Sequence, residues 1–325
     1  MRTKLLLIST IFLSLLVSCE KAGKGDYADV AFTVSIPSAI ETKANISDGS
    51  KVNMLHYVAF GPTGNVVLSG STPISVSAPA VIEASLVKYV DYNFVFWAHK
   101  EDASNTNPVY DLSTFESDGK ITVSYSGNAN DEDRDAFYTN YPITLDDNTS
   151  LKQTVKLYRP FAQINFLHKD YKVVEDAGIH VGLTSMVEIS GIHDVLDGKT
   201  GVASSSVTSV TTQLVHSAVP TEKFTRVETD PSTGVSASIA YAWYSMNYIL
   251  CNETNDNIDV TGKFKYGQPE NEVSVLVNSV PYKRNYRTNI IGSFLTEEAE
   301  LTVEIVPGFV DDDNDGQPDD IDKLL

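Results

Sequence analysis

Cysteine is nearly missing from this chain: only Cys19 and Cys251 occur. Positive charge is also scarce, with 24 Lys and Arg against 43 Asp and Glu and a formal net charge of -19. So acidic a chain is a poor partner for nucleic acid, and no basic stretch interleaved with aromatics argues otherwise. Anionic lipid would repel it too, so any membrane attachment must come from something other than the surface of the fold. After the first 18 residues no apolar run is long enough to span a bilayer. No long window keeps a clean 3.6-residue period, which excludes a helical bundle. Enzyme signatures are missing as well. No serine sits in G-x-S-x-G, and no glycine loop cradles phosphate. The six histidines (His56, His99, His168, His180, His193, His216) show no H-x-x-x-H spacing, and each reads as a strand or turn residue. A carboxylate pair for glycoside hydrolysis could still meet in space, but acidity also serves solubility. Cys251 follows Tyr248-Ile249-Leu250 and reads as a small buried hydrophobe, with no nucleophilic role. The chain therefore reads as a binding protein without turnover.

What is present begins at the N-terminus. Met1-Arg2-Thr3-Lys4 is basic, and Leu5 to Val17 is almost wholly apolar. Leu16-Val17-Ser18-Cys19 follows, with a small residue just before cysteine. This end resembles the lipobox of bacterial lipoproteins. The resemblance implies that residues 1–18 are a signal peptide, that the Cys19 thiol and amino group carry acyl chains such as palmitate, and that the lipid holds the chain at the outer membrane. Two or three acyl chains anchor durably where one does not. With Cys19 acylated, Cys251 has no partner and no internal disulfide forms. Residues 19–27 are small and polar and read as a tether.

Beyond the tether the chain reads as β. Val30, Phe32, Val34 and Ile36 alternate with Ala31, Thr33 and Ser35, the period-two pattern of a half-buried strand, and Pro37 closes it. Lys51 to Phe60, a turn at Gly61-Pro62-Thr63-Gly64-Asn65, and Val66-Val67-Leu68 predict a hairpin. Tyr92 to Ala98 is a strand with bulky residues on both faces, and Ile121 to Tyr125 is another. The acidic run before Ala136-Phe137-Tyr138 suits one or two helical turns. Further strands are expected at Gly178 to Leu183, Met186 to Ile189, Ala237 to Tyr244, Tyr248 to Leu250, Gly262 to Tyr266, Glu272 to Val277, Arg287 to Phe294 and Glu300 to Val306. Residues 196–212 read as a long surface loop or a weak edge hairpin. The expectation is an all-β chain of two sandwiches, 28–158 and 159–310, divided near Arg159-Pro160.

The last residues carry the clearest ligand pattern. Counted from Asp311, oxygen side chains fall at positions 1, 3, 5, 9 and 12 as Asp311, Asp313, Asp315, Asp319 and Asp322. Gly316 takes position 6, and Gln317 at position 7 would offer its carbonyl. Six or more oxygens suit Ca²⁺, and the spacing resembles calcium loops of the EF-hand, dockerin and thrombospondin type 3 kind. Residues 311–325 thus read as an acidic, calcium-loop-like tail, although Asp322 is shorter than the usual bidentate glutamate. No organic cofactor is expected.

Two segments resemble signatures of the fimbrillin-like surface lipoproteins of the Bacteroidales. One is Arg159-Pro160-Phe161-Ala162-Gln163-Ile164-Asn165-Phe166. The other is Val280-Pro281-Tyr282-Lys283-Arg284-Asn285-Tyr286-Arg287-Thr288-Asn289-Ile290-Ile291-Gly292, followed by Leu301-Thr302-Val303-Glu304-Ile305. The resemblance implies two transthyretin-like, Greek-key β-sandwich domains in tandem, lipid-anchored at the outer membrane and facing the cell exterior. It also implies assembly into fimbriae by exchange of strands between subunits, after a protease removes the first strand, with adhesion to host or bacterial surface glycans or proteins. The displaced strand would be Val30, Phe32, Val34 and Ile36. The family's cut follows an arginine, but residues 37–50 hold only Lys43, and the first arginine after the signal is Arg134. That departure favours an anchor, accessory or tip subunit over a shaft subunit. The alternative is a glycan-binding lipoprotein of a polysaccharide-capture system, with Trp97, Trp243 and Tyr244 as aromatic platforms, although Trp97 sits in a dense apolar strand and reads as core.

Overall fold

The computed structural model describes residues 26–37, 47–102, 104, 108–126, 132–147, 150–179, 184–205, 209–215, 223–229, 232–254, 256–266, 271–296 and 301–307. Among them the chain is nearly all β, in five sheets. Alternation sets the first strand, β1 (Tyr27–Ser35): Ala28, Val30, Phe32 and Val34 turn inward, and Asp29 and Thr33 outward. It lies between antiparallel β4 (Ala80–Val87) and parallel β9 (Ser150–Lys156). An antiparallel second sheet runs in the order β3 (Val66–Pro73), β2 (Met54–Phe60), β5 (Asp91–His99) and β8 (Phe137–Thr144). The two sheets close on one core, where Phe32 meets Phe94 at 4.5 Å and Phe96 at 5.8 Å between ring centroids.

A five-stranded sheet follows in the order β15 (Lys223–Thr229), β16 (Ser236–Leu250), β10 (Phe161–His168), β19 (Tyr286–Gly292) and β20 (Thr302–Pro307). It packs on the sheet β14 (Ser209–Val215), β11 (Thr184–Ser190), β17 (Asp256–Tyr266) and β18 (Asn271–Tyr282). Phe264 of β17 fills this core against Tyr244 at 4.3 Å and Phe166 at 5.2 Å.

The fifth sheet binds the halves together. Its order is β13 (Val202–Ser204), β12 (Val195–Asp197), β7 (Lys120–Val123) and β6 (Tyr110–Asp111), so two strands come from either side of Tyr158. Val58, Phe60, Val95 and Trp97 turn away from the first core. They join Ile121, Leu196 and Phe161 in a cluster continuous with the second. Strand β5 is therefore buried on both faces, which is why Tyr92 to Ala98 is bulky throughout and does not alternate. At the seam Gly198 N–H donates to Gly119 O at 2.9 Å. Gly119 has φ +76°, and a Cβ at Gly198 would lie 2.4 Å from that carbonyl.

Other elements differ in detail from expectation. Ala237 to Tyr244 and Tyr248 to Leu250 are parts of the single strand β16. The region 196–212 holds a real hairpin, but its inner strand β12 pairs with β7. The strand expected from Gly178 does not start there. Among the described residues two short helices occur, α1 (Phe115–Asp118) and α2 (Tyr171–Asp176), and after α2 the chain turns through Gly178 at φ +67°. The acidic run before Phe137 forms one 3-10 turn, Glu132–Arg134.

Candidate functional site

The strand singled out as displaceable, β1, fills a full seat. Its register is Val30↔Ala84, Phe32↔Ile82 and Val34↔Ala80 on one side, and Val30↔Leu151, Phe32↔Gln153 and Val34↔Val155 on the other. Phe32 and Val34 are wholly buried, and Val30 and Ile36 nearly so. Each of these side chains stabilises its seat by about 1.5–3 kcal/mol. No covalent bond beyond the chain itself holds β1. Ladders and packing do, so a strand with similar alternation could replace it.

Beyond β1 the chain is fastened hard at Ser47. Ser47 is fully buried, with φ +57°. Its N–H donates to Glu132 Oε2 at 2.8 Å, and its carbonyl accepts from Arg159 Nη2. Its Oγ receives Gln163 Nε2 at 2.6 Å and Tyr248 OH at 2.7 Å. Gly49 N–H donates to Asp135 Oδ2 at 3.1 Å. Arg159 is fully buried and grips Asp135 with two hydrogen bonds, Nε to Oδ1 at 2.7 Å and Nη2 to Oδ2 at 2.9 Å. Its guanidinium also lies 4.5 Å over the Phe137 ring. Burial, together with the Asp135 charge, pushes the Glu132 carboxyl up to about 7.

From this anchor a polar seam runs along β10 into β19. Arg287 Nε donates to Gln163 Oε1 at 2.9 Å, and Asn165 Nδ2 donates to Asn289 Oδ1 at 3.0 Å. The two segments that carry the resemblance are thus parallel neighbours, Gln163↔Arg287 and Asn165↔Asn289. Arg284 ties the same region to Cys251 O at 2.8 Å and Gly201 O at 2.7 Å. Nothing in the sequence marked Ser47, Glu132 or Asp135, because their partners lie far along the chain.

This architecture has relatives. The family of unknown function DUF6562 matches residues 24–322. The chain belongs to that family. The fold of this DUF6562 member is shared with an adhesin candidate from Bacteroides thetaiotaomicron VPI-5482: TM-score 0.50, 11% identity, covering 87% of this chain and 98% of that one. It is shared equally with the C-terminally truncated tip fimbrial protein Mfa3 of Porphyromonas gingivalis: TM-score 0.50, 10% identity, covering 86% and 99%. The fimbrial anchor protein Mfa2 of the same organism aligns at TM-score 0.44 and 11% identity, covering 86% and 97%. No curated protein matches in sequence. The expected Bacteroidales fimbrillin-like resemblance and all-β sandwich fold are therefore found.

Of the remaining expected sites in this family member, Cys19, Lys43 and the calcium-loop residues Asp311, Asp313, Asp315, Gln317, Asp319 and Asp322 lie outside the described residues. Trp97, Trp243 and Tyr244 do not make a sugar platform. Trp97 and Tyr244 are fully buried, and Trp243 is partly buried beneath the Arg287 guanidinium. Cys251 is buried, and burial pushes its thiol up to about 12, consistent with a packing role.

Proposed function

We propose that this chain is a non-enzymatic surface lipoprotein of fimbrillin type, acting as an anchor, accessory or tip subunit in adhesion. The supporting observation is the seat of β1. It is a central strand, parallel to β9 and antiparallel to β4, held by ladders and four buried apolar side chains, so the chain fills its own seat, as suits an anchor, accessory or tip subunit that does not give up its first strand. The shared fold with a tip fimbrial protein agrees with that reading. The segment between β1 and the Ser47 anchor holds Lys43 and no arginine, so β1 stays in place and the acyl chains on Cys19 remain joined to the fold. Assembly would then use strands exchanged at other positions of the partner subunits.

The test is expression in a Bacteroidales host, with N-terminal mass spectrometry of the surface form and mild-denaturant gels. The expected product starts at Cys19, is acylated, keeps β1, and forms ladders or hetero-complexes with fimbrial subunits. A chain trimmed after Lys43, or one found only as a free monomer, would sink this reading. The same reading assigns Ca²⁺ to Asp311–Asp322. Calorimetry should detect Ca²⁺ binding to the intact chain and its loss in Asp313→Ala, and equal heats in both would refute the assignment.

A further inference from the structure

A cavity of about 300 Å³ opens where the end of β5 meets the segment entering β6. His56 and His99 line it, their rings stacked 5.3 Å apart. His99 is only 6% exposed and is held at its ring by Tyr110 at 5.4 Å and Trp97 at 6.3 Å. Its Nδ1 has no hydrogen-bond partner. Burial and the neighbouring His56 push its pKa down to about 3, so a neutral imidazole faces neutral solution. His56 Nε2 faces Glu101 Oε2 at 3.4 Å. Pro108, Val109 and Leu112 supply an apolar wall. Of the charged groups in the lining, Lys100 is paired with Asp133, Glu101 faces His56, and Asp102 Oδ1 accepts from Ser104 N–H at 2.9 Å and Oγ at 2.6 Å, which leaves its second oxygen toward the rim.

These features narrow the ligand. Two carboxylates at the rim repel an anion, although Glu101 lies against His56 and Asp102 already accepts from Ser104. Among the described residues no three His, Cys, Asp or Glu side chains are placed to hold a metal ion. A buried imidazole nitrogen without a partner is costly, and a hydroxyl group bonded to it removes that cost. An apolar wall facing a rim of acceptors matches one sugar ring, with its C–H face and its hydroxyl edge. The volume sits at the small end of ligand pockets, about 300–1,000 Å³.

We propose that this cavity binds a single neutral hexose unit of a surface glycan. A sugar hydroxyl bonds His99 Nδ1, further hydroxyls donate to Glu101 and Asp102, and the ring packs on Val109 and Leu112. The site stands apart from strand exchange. The test follows the His56 and His99 ring signals by NMR while methyl glycosides of glucose, galactose, mannose and N-acetylglucosamine are added in turn. At least one should shift both signals saturably. Glu101→Ala changes an exposed side chain and should weaken that glycoside about fivefold, as losing about 1 kcal/mol of hydrogen bonding predicts. Leu112→Trp fills the cavity and should abolish binding while ladder formation persists. Silence with all four glycosides overturns the proposal. So does tighter binding of glucuronate, methylammonium or Zn²⁺ at the same two rings.

Discussion

Glu132 is a carboxyl held against its own charge. Burial and Asp135 raise its pKa from 4.5 to about 7, with Asp48 adding and the Ser47 N–H and Arg159 opposing. The folded chain therefore binds more protons here than the unfolded chain between those values, and stability falls as pH rises from 4.5 to 7. The full effect is about 3 kcal/mol. His99 works in the opposite sense: its pKa is lowered from 6.5 to about 3, so its contribution is present above 6.5 and lost on acidification. Because the two slopes oppose, the wild-type profile alone conceals both. Urea titrations of wild type and Glu132→Gln isolate the carboxyl: the variant should gain relative stability from pH 5 to pH 8, and a pH-independent difference would refute the assignment. Asp135→Ala should cost about 3–5 kcal/mol by leaving buried Arg159 without its counter-charge, a loss that equilibrium unfolding measures directly. None of this was legible in the sequence. Arg159, Gln163 and Asn165 stood out as a signature, but their partners Ser47, Asp135 and Asn289 are distant in the chain, and periodicity says nothing about such pairings.

At the level of elements, legibility followed the number of faces buried. Strand β1 has one wet face, so its alternation appeared in the sequence and its inward residues were found where expected. Strand β10 is buried along its whole length, so the alternation of Ala162, Ile164 and Phe166 with Gln163 and Asn165 separates an apolar core from a buried polar seam and marks no wet face. The short helix α2 spans only Tyr171–Asp176, too few residues to display a helical period. The turn after Asp197 shows a different limit. Gly198 looked like ordinary loop composition, yet it lets the β12–β13 hairpin touch the backbone beside β7. Phe32→Ala should destabilise by about 3–5 kcal/mol, since the cavity lies among Phe94, Phe96 and Tyr141 in the middle of the β1 seat. Hydrogen exchange along β1 should accelerate more than along β17, which belongs to the other core. Uniform acceleration would mean that β1 opens only when everything does.

That last distinction becomes a question about the whole molecule. Sequence patterning divides the chain near Tyr158 into two sandwiches, but the structure places β6 and β7 in one sheet with β12 and β13 and lets Val58, Phe60, Val95 and Trp97 share a core with Phe161 and Leu196. The outer face of β2 and β5 is thus interior to the assembled chain. A fragment ending at Tyr158 would expose that face, including Trp97, to water. An apolar patch of such side chains drives association. The fragment should therefore bind a hydrophobic dye and aggregate, whereas the intact chain should do neither under the same conditions. Calorimetry of the intact chain should give one transition whose van't Hoff and calorimetric enthalpies agree. Two separated transitions would show that the halves fold independently. The shared sheet would then be only a docking contact, and force or strand exchange at β1 could open the first half while leaving the polar seam of β10 and β19 intact.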